Sequence, residues 1–414
     1  MTESEAGLHP VKIADVKVIL TAPNGIRLVV VKVLTSEPGL YGLGCATFTQ
    51  RPLAVATAIE KYLKPFVIGR DVDRIEDIFQ AAYVSSYWRS GPVLNNALSG
   101  IDQALWDIKG KRANMPVYQL LGGKCREAVP VYVHASGQDF KEVEEKARAF
   151  MEQGFRYIRC QVNIPGLTTY GSKGGKVIPA LDHSQTRTWE PTPYVRTIPK
   201  LFEHLRVTLG DDVELLHDVH ERIPPIQGVW LAKALEPYRL FFLEDLFAPE
   251  DVEYFRMVRQ QTATPLAMGE LFVNSSEYVP LIKDRLIDFI RVHISDIGGF
   301  TMARKLAAFC EFMGVRTAWH GPGDVSPVGH AANMHLDLAI PNFGIQELAL
   351  FPEETKAVFP GCPQVHDGCM WANDKPGWGI DIDEKLAAEF PFPEDKYGGA
   401  WPEIRRLDGT VIKP

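Results

Sequence analysis

Three short apolar segments, each followed by a carboxylate, constrain the fold of this chain most strongly. They are VELLHDVHER with Asp218, RLFFLEDLF with Glu244 and PLAMGELF with Glu270, and the carboxylates are spaced 26 residues apart. A strand, a helix and two loops fill that length, so the spacing predicts successive β/α units. Because the C-terminal ends of parallel barrel strands face one common mouth, the three carboxylates are expected to converge there.

Three carboxylates in a dry cavity raise one another's pKa unless a cation neutralises them. Oxygen ligands favour Mg²⁺ over Zn²⁺. We therefore expect one Mg²⁺ per subunit, bound by Asp218, Glu244 and Glu270. A carboxylate at a strand end can also be a helix N-cap or a solvated loop residue, but the equal spacing and shared strand context favour a common ion.

Strand and helix patterns alternate along most of the chain. Eight strands are predicted near residues 131, 158, 215, 241, 267, 290, 316 and 345, which favours a (β/α)8-type barrel. Before them, two β-branched runs and three helical patterns predict an α+β capping domain. The predicted divisions are a capping domain at 1–125, a catalytic barrel at 126–380, and a C-terminal segment at 381–414 that returns to the capping domain.

The segment 163–194 interrupts the barrel pattern directly after the second predicted strand. It is rich in Gly, Pro, Ser and Thr. A segment of this length without its own secondary structure is typical of an active-site lid. We expect it to be mobile and to order over the substrate.

Composition excludes several classes of function. The net charge is −8 over 414 residues, which provides no basic surface for nucleic acid. No apolar run is long enough to span a membrane. The six cysteines form no CxxC motif, which favours reduced thiols and a cytoplasmic protein.

Other polar residues near strand ends are candidates for catalysis. His220 lies two residues after Asp218, on the same face of an extended strand, and is a candidate general acid; the alternative is a structural histidine. Arg159 ends the second strand, and Tyr170 follows within the insertion. A guanidinium lowers the pKa of a nearby tyrosine, so the two form a candidate base; the alternative for Tyr170 is an aromatic that packs within the lid. Further candidates at later strand ends are Arg291, His293, His320, Asp324 and Glu347.

The motifs YWRSGPV, DQALWDIKGK, LLHDVHER, FFLEDL, GELF, WHGPGDVSP and DKPGWGIDID cover most of the chain. They resemble the enolase superfamily and, within it, the mannonate dehydratase subgroup of acid-sugar dehydratases. The resemblance implies Mg²⁺ ligation by Asp218, Glu244 and Glu270, a Tyr170–Arg159 base and a His220 acid. It also implies a homo-tetramer or homo-octamer, and substrate binding by His134, Arg291, His320, Asp324 and Glu347.

Two positions depart from the pattern of efficient mannonate dehydratases. Thr49 stands where they tend to have Asn, and Pro322 stands where they tend to have Ala. Both positions are expected in substrate-facing loops, and Thr49 is a further candidate for substrate binding. The resemblance therefore implies dehydration of D-mannonate or D-gluconate to a 2-keto-3-deoxy acid at low efficiency. A racemase or epimerase that uses the same metal site, and a non-catalytic metabolite-binding descendant, are the alternatives.

Overall fold

The computed structural model describes residues 9–164, 187–394 and 404–413. The chain begins with an antiparallel sheet of β1 (Ile13–Thr21), β2 (Leu28–Thr35) and β3 (Tyr41–Cys45). The helices that follow are α1 (Pro52–Ala58), a π-helical turn (Ile59–Leu63), α2 (Lys64–Val67), α3 (Ile75–Val84), α4 (Pro92–Arg112) and α5 (Val117–Leu120). Valines of β2 and apolar residues of α4 form the core of this unit, which is the predicted α+β capping domain.

Eight parallel strands form a closed ring, as predicted. They are β4 (Val129–Gly137), β5 (Tyr157–Val162), β7 (Glu214–Asp218), β8 (Phe242–Glu244), β9 (Leu266–Met268), β10 (Phe289–Ile290), β11 (Arg316–Thr317) and β12 (Gln346–Glu347). Strand β12 pairs with β4, and a bridge joins Thr317 of β11 to Phe343, which lies just before β12. The (β/α)8-type barrel is therefore confirmed.

Helices surround the strand ring and contribute apolar residues to the core around it. They are α6 (Phe140–Glu152), α7 (Pro191–Leu209), α8 (Pro225–Leu235), α9 (Tyr254–Arg259), α10 (Ser275–Lys283), α11 (Phe300–Met313), α12 (Pro327–Ala339) and α13 (Glu353–Val358). The main core lies between the helices and the strands, and a smaller cluster that includes Tyr132, Leu216 and Phe242 fills the interior of the ring.

The C-terminal part of the chain packs partly on the barrel and partly on the capping domain. A hairpin of β13 (Gln364–His366) and β14 (Cys369–Trp371) extends the sheet beside β4. Helix α14 (Glu384–Ala388) returns to the capping domain, where the Thr21 hydroxyl donates to the Ala387 carbonyl over 2.9 Å. The last described residues do not return to the capping domain as predicted. Instead, β15 (Ile404–Arg405) and β16 (Val411–Ile412) form a hairpin that pairs with β6 (Arg187–Thr188) at the barrel.

The insertion 163–194 is only partly described. Its last residues are regular rather than structureless, because β6 pairs with the C-terminal hairpin and α7 already begins at Pro191. A proline in the first turn suits a helix start, since the missing N–H has no helical partner there. Residues 165–186, and with them Tyr170 and the predicted lid, lie outside the described residues. No helix in the described ranges has both the length and the apolar character of a membrane span.

Candidate active site

Three buried carboxylates cluster where two neighbouring barrel strands end. Asp218 ends β7 and Glu244 ends β8, and the two residues are register partners. Asp245 follows directly, and one oxygen of each of the three carboxylates lies within 4.8 Å of the others. Burial, and next the charge of Glu244, raise the pKa of Asp218 well above its usual value. Burial likewise raises the pKa of Asp245 to about 7.

Two buried arginines hold this cluster together. Arg159, on β5, places Nη1 2.5 Å from Oε1 of Glu244 and 3.1 Å from Oε1 of Glu347. Arg291, which follows β10, places Nη2 2.8 Å from Oε1 of Glu244 and 2.5 Å from Oε2 of Glu347. Its Nη1 donates to Asp245 and Glu270. The guanidinium of Arg291 therefore contacts four carboxylates: Glu244, Asp245, Glu270 and Glu347.

Glu270 lies across Arg291 from the cluster and faces two histidines. Its Oε2 is 2.7 Å from Nη1 of Arg291 and 3.4 Å from Nε2 of His320, and its Oε1 is 3.7 Å from Nε2 of His220. Burial acts to raise the pKa of Glu270, but His320 and Arg291 hold it well below the usual range. Burial acts to lower the pKa of His320, but Glu270 raises it to about 9. Contact with the Glu270 carboxylate therefore favours the protonated form of His320.

The described residues at this centre carry surplus negative charge. Five carboxylates (Asp218, Glu244, Asp245, Glu270 and Glu347) face the guanidinium groups of Arg159 and Arg291 and the ring of His320, and Arg222 interacts electrostatically with Asp218 and Glu270, so the carboxylates outnumber the cationic side chains at this centre. Oδ2 of Asp218 is buried and has no hydrogen-bond partner in the part of the chain that the structure describes. A hard divalent cation would supply both the missing charge and the missing partner, so the residues fit Mg²⁺.

A backbone reversal explains why the sequence did not reveal Asp245. Strand alternation turns a residue that follows Glu244 away from the mouth. The strand ends at Glu244, however, and Asp245 has a φ of +39°, which turns its carboxylate back towards Asp218. His220 also lies beyond its strand and has a φ of +53°. Its position near Glu270 therefore depends on this turn and not on the predicted alternation.

A cavity of about 580 Å³ opens over the carboxylates. The capping domain supplies one wall through residues 47–51, which follow β3, and the barrel loops supply the others. Of the predicted substrate-binding residues, Thr49, His320 and Asp324 line the cavity. The others lie deeper, where His134 places Nε2 3.0 Å from Oε1 of Glu347 beside the buried Arg291. Burial lowers the pKa of His134 to about 4, so this ring is neutral.

His293 and Asp296 also reach the cavity. The ring of His293 lies 5.1 Å from that of His320, and its Nδ1 is 3.8 Å from Oδ2 of Asp296. Asp296 is held from the capping domain, because the amide of Asn96 donates to its carboxylate. The sequence had marked His293 as a candidate but not Asp296, since no local pattern indicates the contact with α4.

Two domain families together cover most of the chain. Residues 2–122 match the mandelate racemase / muconate lactonizing enzyme N-terminal domain, and residues 142–386 match the enolase C-terminal domain-like family. A crystal structure of a mandelate racemase/muconate lactonizing enzyme from Sulfitobacter sp. is 26% identical, with a TM-score of 0.81 over 93% of this chain and 96% of that one.

Closer relatives match almost from end to end. The D-galactonate dehydratase family member RspA of Pantoea ananatis is 57% identical over 97% of this chain and 99% of its own length. A second family member, from Musicola paradisiaca, is 55% identical over 98% and 100%. A crystal structure of an enolase from Pantoea ananatis with bound D-gluconate and Mg is 56% identical, with a TM-score of 0.91 over 98% of this chain and 100% of that chain. With this fold and these relatives, the chain belongs to the D-galactonate dehydratase family of the enolase superfamily.

Proposed function

We propose that this protein is a Mg²⁺-dependent acid-sugar dehydratase that converts D-gluconate or D-mannonate to the corresponding 2-keto-3-deoxy acid, at low efficiency. The observation that carries the proposal is the surplus of buried carboxylates under the cavity, with His220 beside them. The Pantoea ananatis enolase with bound D-gluconate and Mg, at 56% identity, supports the choice of ion and ligand.

Asp218, Glu244 and Glu270 would hold the ion. Oδ1 of Asp245 accepts from the Gly269 N–H over 2.9 Å and Oδ2 accepts from Arg291 over 3.1 Å, and Asp245 does not line the cavity. Glu270 instead lines the cavity, with 18% of its side chain exposed. Asp245 then fixes Arg291 behind the ion, as groups behind metal ligands commonly do.

The chemistry of the reaction requires one base and one acid. Bound Mg²⁺ would stabilise the negative charge that develops on the substrate carboxylate when the C2 proton leaves. Tyr170 with Arg159 remains the predicted base. His220 reaches the cavity, with Nε2 3.7 Å from Oε1 of Glu270, which supports the proposal that His220 is the acid that protonates the departing C3 hydroxyl. Loss of water and tautomerisation give the 2-keto-3-deoxy acid.

Low efficiency is proposed from two residues near the substrate. The Thr49 side chain is hydrogen-bonded to Oε1 of Gln50 over 3.0 Å, so its one hydroxyl proton is not directed into the cavity. Pro322 follows the His320–Gly321 pair, and its carbonyl lies 3.3 Å from Nε2 of His330. Proline fixes its own φ and removes an N–H at this turn. Both residues thus limit how the loops around the cavity can contact substrate hydroxyls.

The test is a screen of acid sugars with Mg²⁺ for formation of a 2-keto-3-deoxy product. We expect product from D-gluconate or D-mannonate, loss of activity with EDTA, and recovery on addition of Mg²⁺. His220→Asn should abolish dehydration and preserve Mg²⁺ binding. An epimerised acid without loss of water would identify the racemase alternative. Binding without any reaction would identify the non-catalytic one.

A further inference from the structure

Lys413 lies in the wall of the cavity, although it is close to the C-terminal end of the chain. The β15–β16 hairpin places it there, through pairing of β15 with β6. Two further bonds fix the hairpin: the Trp189 N–H donates to the Arg405 carbonyl over 2.8 Å, and the Leu407 N–H donates to Oε1 of Glu190 over 3.0 Å. The placement of Lys413 thus depends on the contacts of the hairpin with residues 187–190.

The ammonium group of Lys413 stands in acidic surroundings. Its Nζ is 3.3 Å from Oε2 of Glu250 and 3.8 Å from Oδ2 of Asp251. Glu250 and Glu221 also line the cavity. Apart from histidines, Arg51 and Lys413 are the cationic residues in the described lining. An anionic ligand that enters the cavity therefore meets few positive charges, and Lys413 supplies one of the two that do not come from histidine.

The floor and the rim of the cavity offer different chemistry. The floor holds the carboxylate cluster that suits a cation, so the substrate carboxylate belongs there. Glu250 and Asp251, in a 3₁₀ turn after β8, hold Lys413 at the rim. With 44% of its side chain exposed, Lys413 has room to give up part of its ion pair to a ligand. An ammonium beside a carboxylate offers both donors and an acceptor, which suits sugar hydroxyls.

We propose that Lys413, supported by Glu250, is a specificity-determining residue that binds the hydroxyl end of a six-carbon acid sugar. This inference rests on the proposed function and adds the feature that selects substrate length. On this inference, a four-carbon acid held by its carboxylate at the floor is too short to contact Lys413. Lys413 thus favours long acids over short ones.

The experiment measures binding of D-gluconate and of the four-carbon acid D-erythronate to the full chain with Mg²⁺, by calorimetry. Lys413→Met should weaken D-gluconate binding about tenfold, the scale of a hydrogen bond from a charged donor. The same substitution should change the affinity for D-erythronate by no more than about twofold, which is too small to represent a lost hydrogen bond. Lys413→Arg should retain most of the affinity, and the exposed Lys375→Met is the matched control.

An unchanged D-gluconate affinity in Lys413→Met overturns the inference. An equal loss for both acids also overturns it, because that result indicates general attraction of anions and not contact with the distal end. If the parent binds D-gluconate but forms no product, the proposed dehydratase function fails while the binding comparison still decides the role of Lys413. A parent that binds neither acid overturns both.

Discussion

At the scale of single residues, the carboxylates of the centre differ in the groups that they contact. Asp245 is held by the Gly269 N–H and Arg291, whereas Asp218 keeps one buried oxygen without a hydrogen-bond partner among the described residues. Glu270 faces the cavity. Proximity alone therefore does not decide which three carboxylates bind the ion, although it groups Asp245 with Asp218 and Glu244.

This distinction predicts a ranking of Mg²⁺ affinities. Glu270→Gln should weaken Mg²⁺ binding more than 100-fold, because it removes a ligand charge. Asp245→Asn should weaken it about tenfold, the lower end of the range for a residue that only orients its neighbours. Calorimetric titration with Mg²⁺ checks both variants. Asp288→Asn is the control, because Asp288 lies at the end of β10 opposite to Arg291. The reverse ranking would make Asp245 the third ligand.

The two unusual residues near the cavity give a second prediction. Replacing Thr49 with Asn adds an amide that can contact a substrate hydroxyl, and Pro322→Ala restores a backbone N–H. The double variant should raise kcat/KM for D-mannonate at least tenfold over the parent, because one recovered hydrogen bond is equivalent to about that factor. Steady-state kinetics on both acids measure it. A parent with kcat/KM already near 10⁴ M⁻¹s⁻¹ or above, on the ordinary scale for enzymes, would contradict the low-efficiency proposal.

At the scale of secondary structure elements, α4 connects the capping sheet to the barrel. Its Asp107 accepts from the Leu43 N–H over 2.9 Å and from the Trp378 N–H over 2.8 Å. The helix approaches β3 closely because Gly44 faces Gly100, and a Cβ at Gly44 would overlap the Gly100 carbonyl oxygen. Close contact here sets where residues 47–51, directly after β3, stand over the cavity.

Gly44→Ala should therefore destabilise the protein by about 3 kcal/mol, the upper part of the range for overpacking a core. Urea denaturation gives the free energy of unfolding. Gly25→Ala is the matched control: nothing lies within 4 Å of its added Cβ, but its φ is +70°, so it should cost about 1 kcal/mol through backbone strain alone. Equal losses in the two variants would show that packing against α4 is not the cause.

The elements also show what the sequence could establish. Equal spacing of Asp218, Glu244 and Glu270 predicted successive β/α units, and the count of eight alternating strands predicted the barrel correctly, because hydrophobic strands and helices recur along the chain. Asp245 was missed because its contact depends on a left-handed turn after β8 that no residue type announces. The β15–β16 hairpin was missed because its partner, β6, lies far away in the chain. Such long-range pairing has no local signature.

At the scale of the whole molecule, His335 joins the two domains. It lies on α12 of the barrel, and its Nδ1 accepts from the Tyr118 N–H of the capping domain over 3.2 Å. Its Nε2 lies 3.2 Å from the Trp378 carbonyl, so the bonded tautomer is neutral. Burial lowers the pKa of His335 to about 4. Protonation therefore opposes the folded state.

The pH dependence of stability follows from this shift. The unfolded chain binds a proton at His335 near its ordinary pKa of about 6.5, and the folded chain does so only near 4. Stability from this residue is thus complete above about pH 6.5 and is lost as the pH falls towards 4. When the pH falls from 7.5 to 5, the free energy of unfolding of His335→Gln should decrease by about 2 kcal/mol less than that of the parent. Chemical denaturation at both pH values measures this. The exposed His366→Gln should behave like the parent, and an unaltered pH slope in His335→Gln would contradict the prediction.

Closure of the ring through β12 and β4 has a thermodynamic consequence. The groups around Arg291 come from strands all round the barrel, so separating any neighbouring pair of strands takes carboxylates away from their arginines. An ion bound by Asp218, Glu244 and Glu270 would have to leave before β7, β8 and β9 could separate from one another. By linkage, each tenfold excess of free ion over its dissociation constant would then add about 1.4 kcal/mol against opening at these two seams. Occupancy of one small centre would thereby make this part of the ring harder to open than the rest.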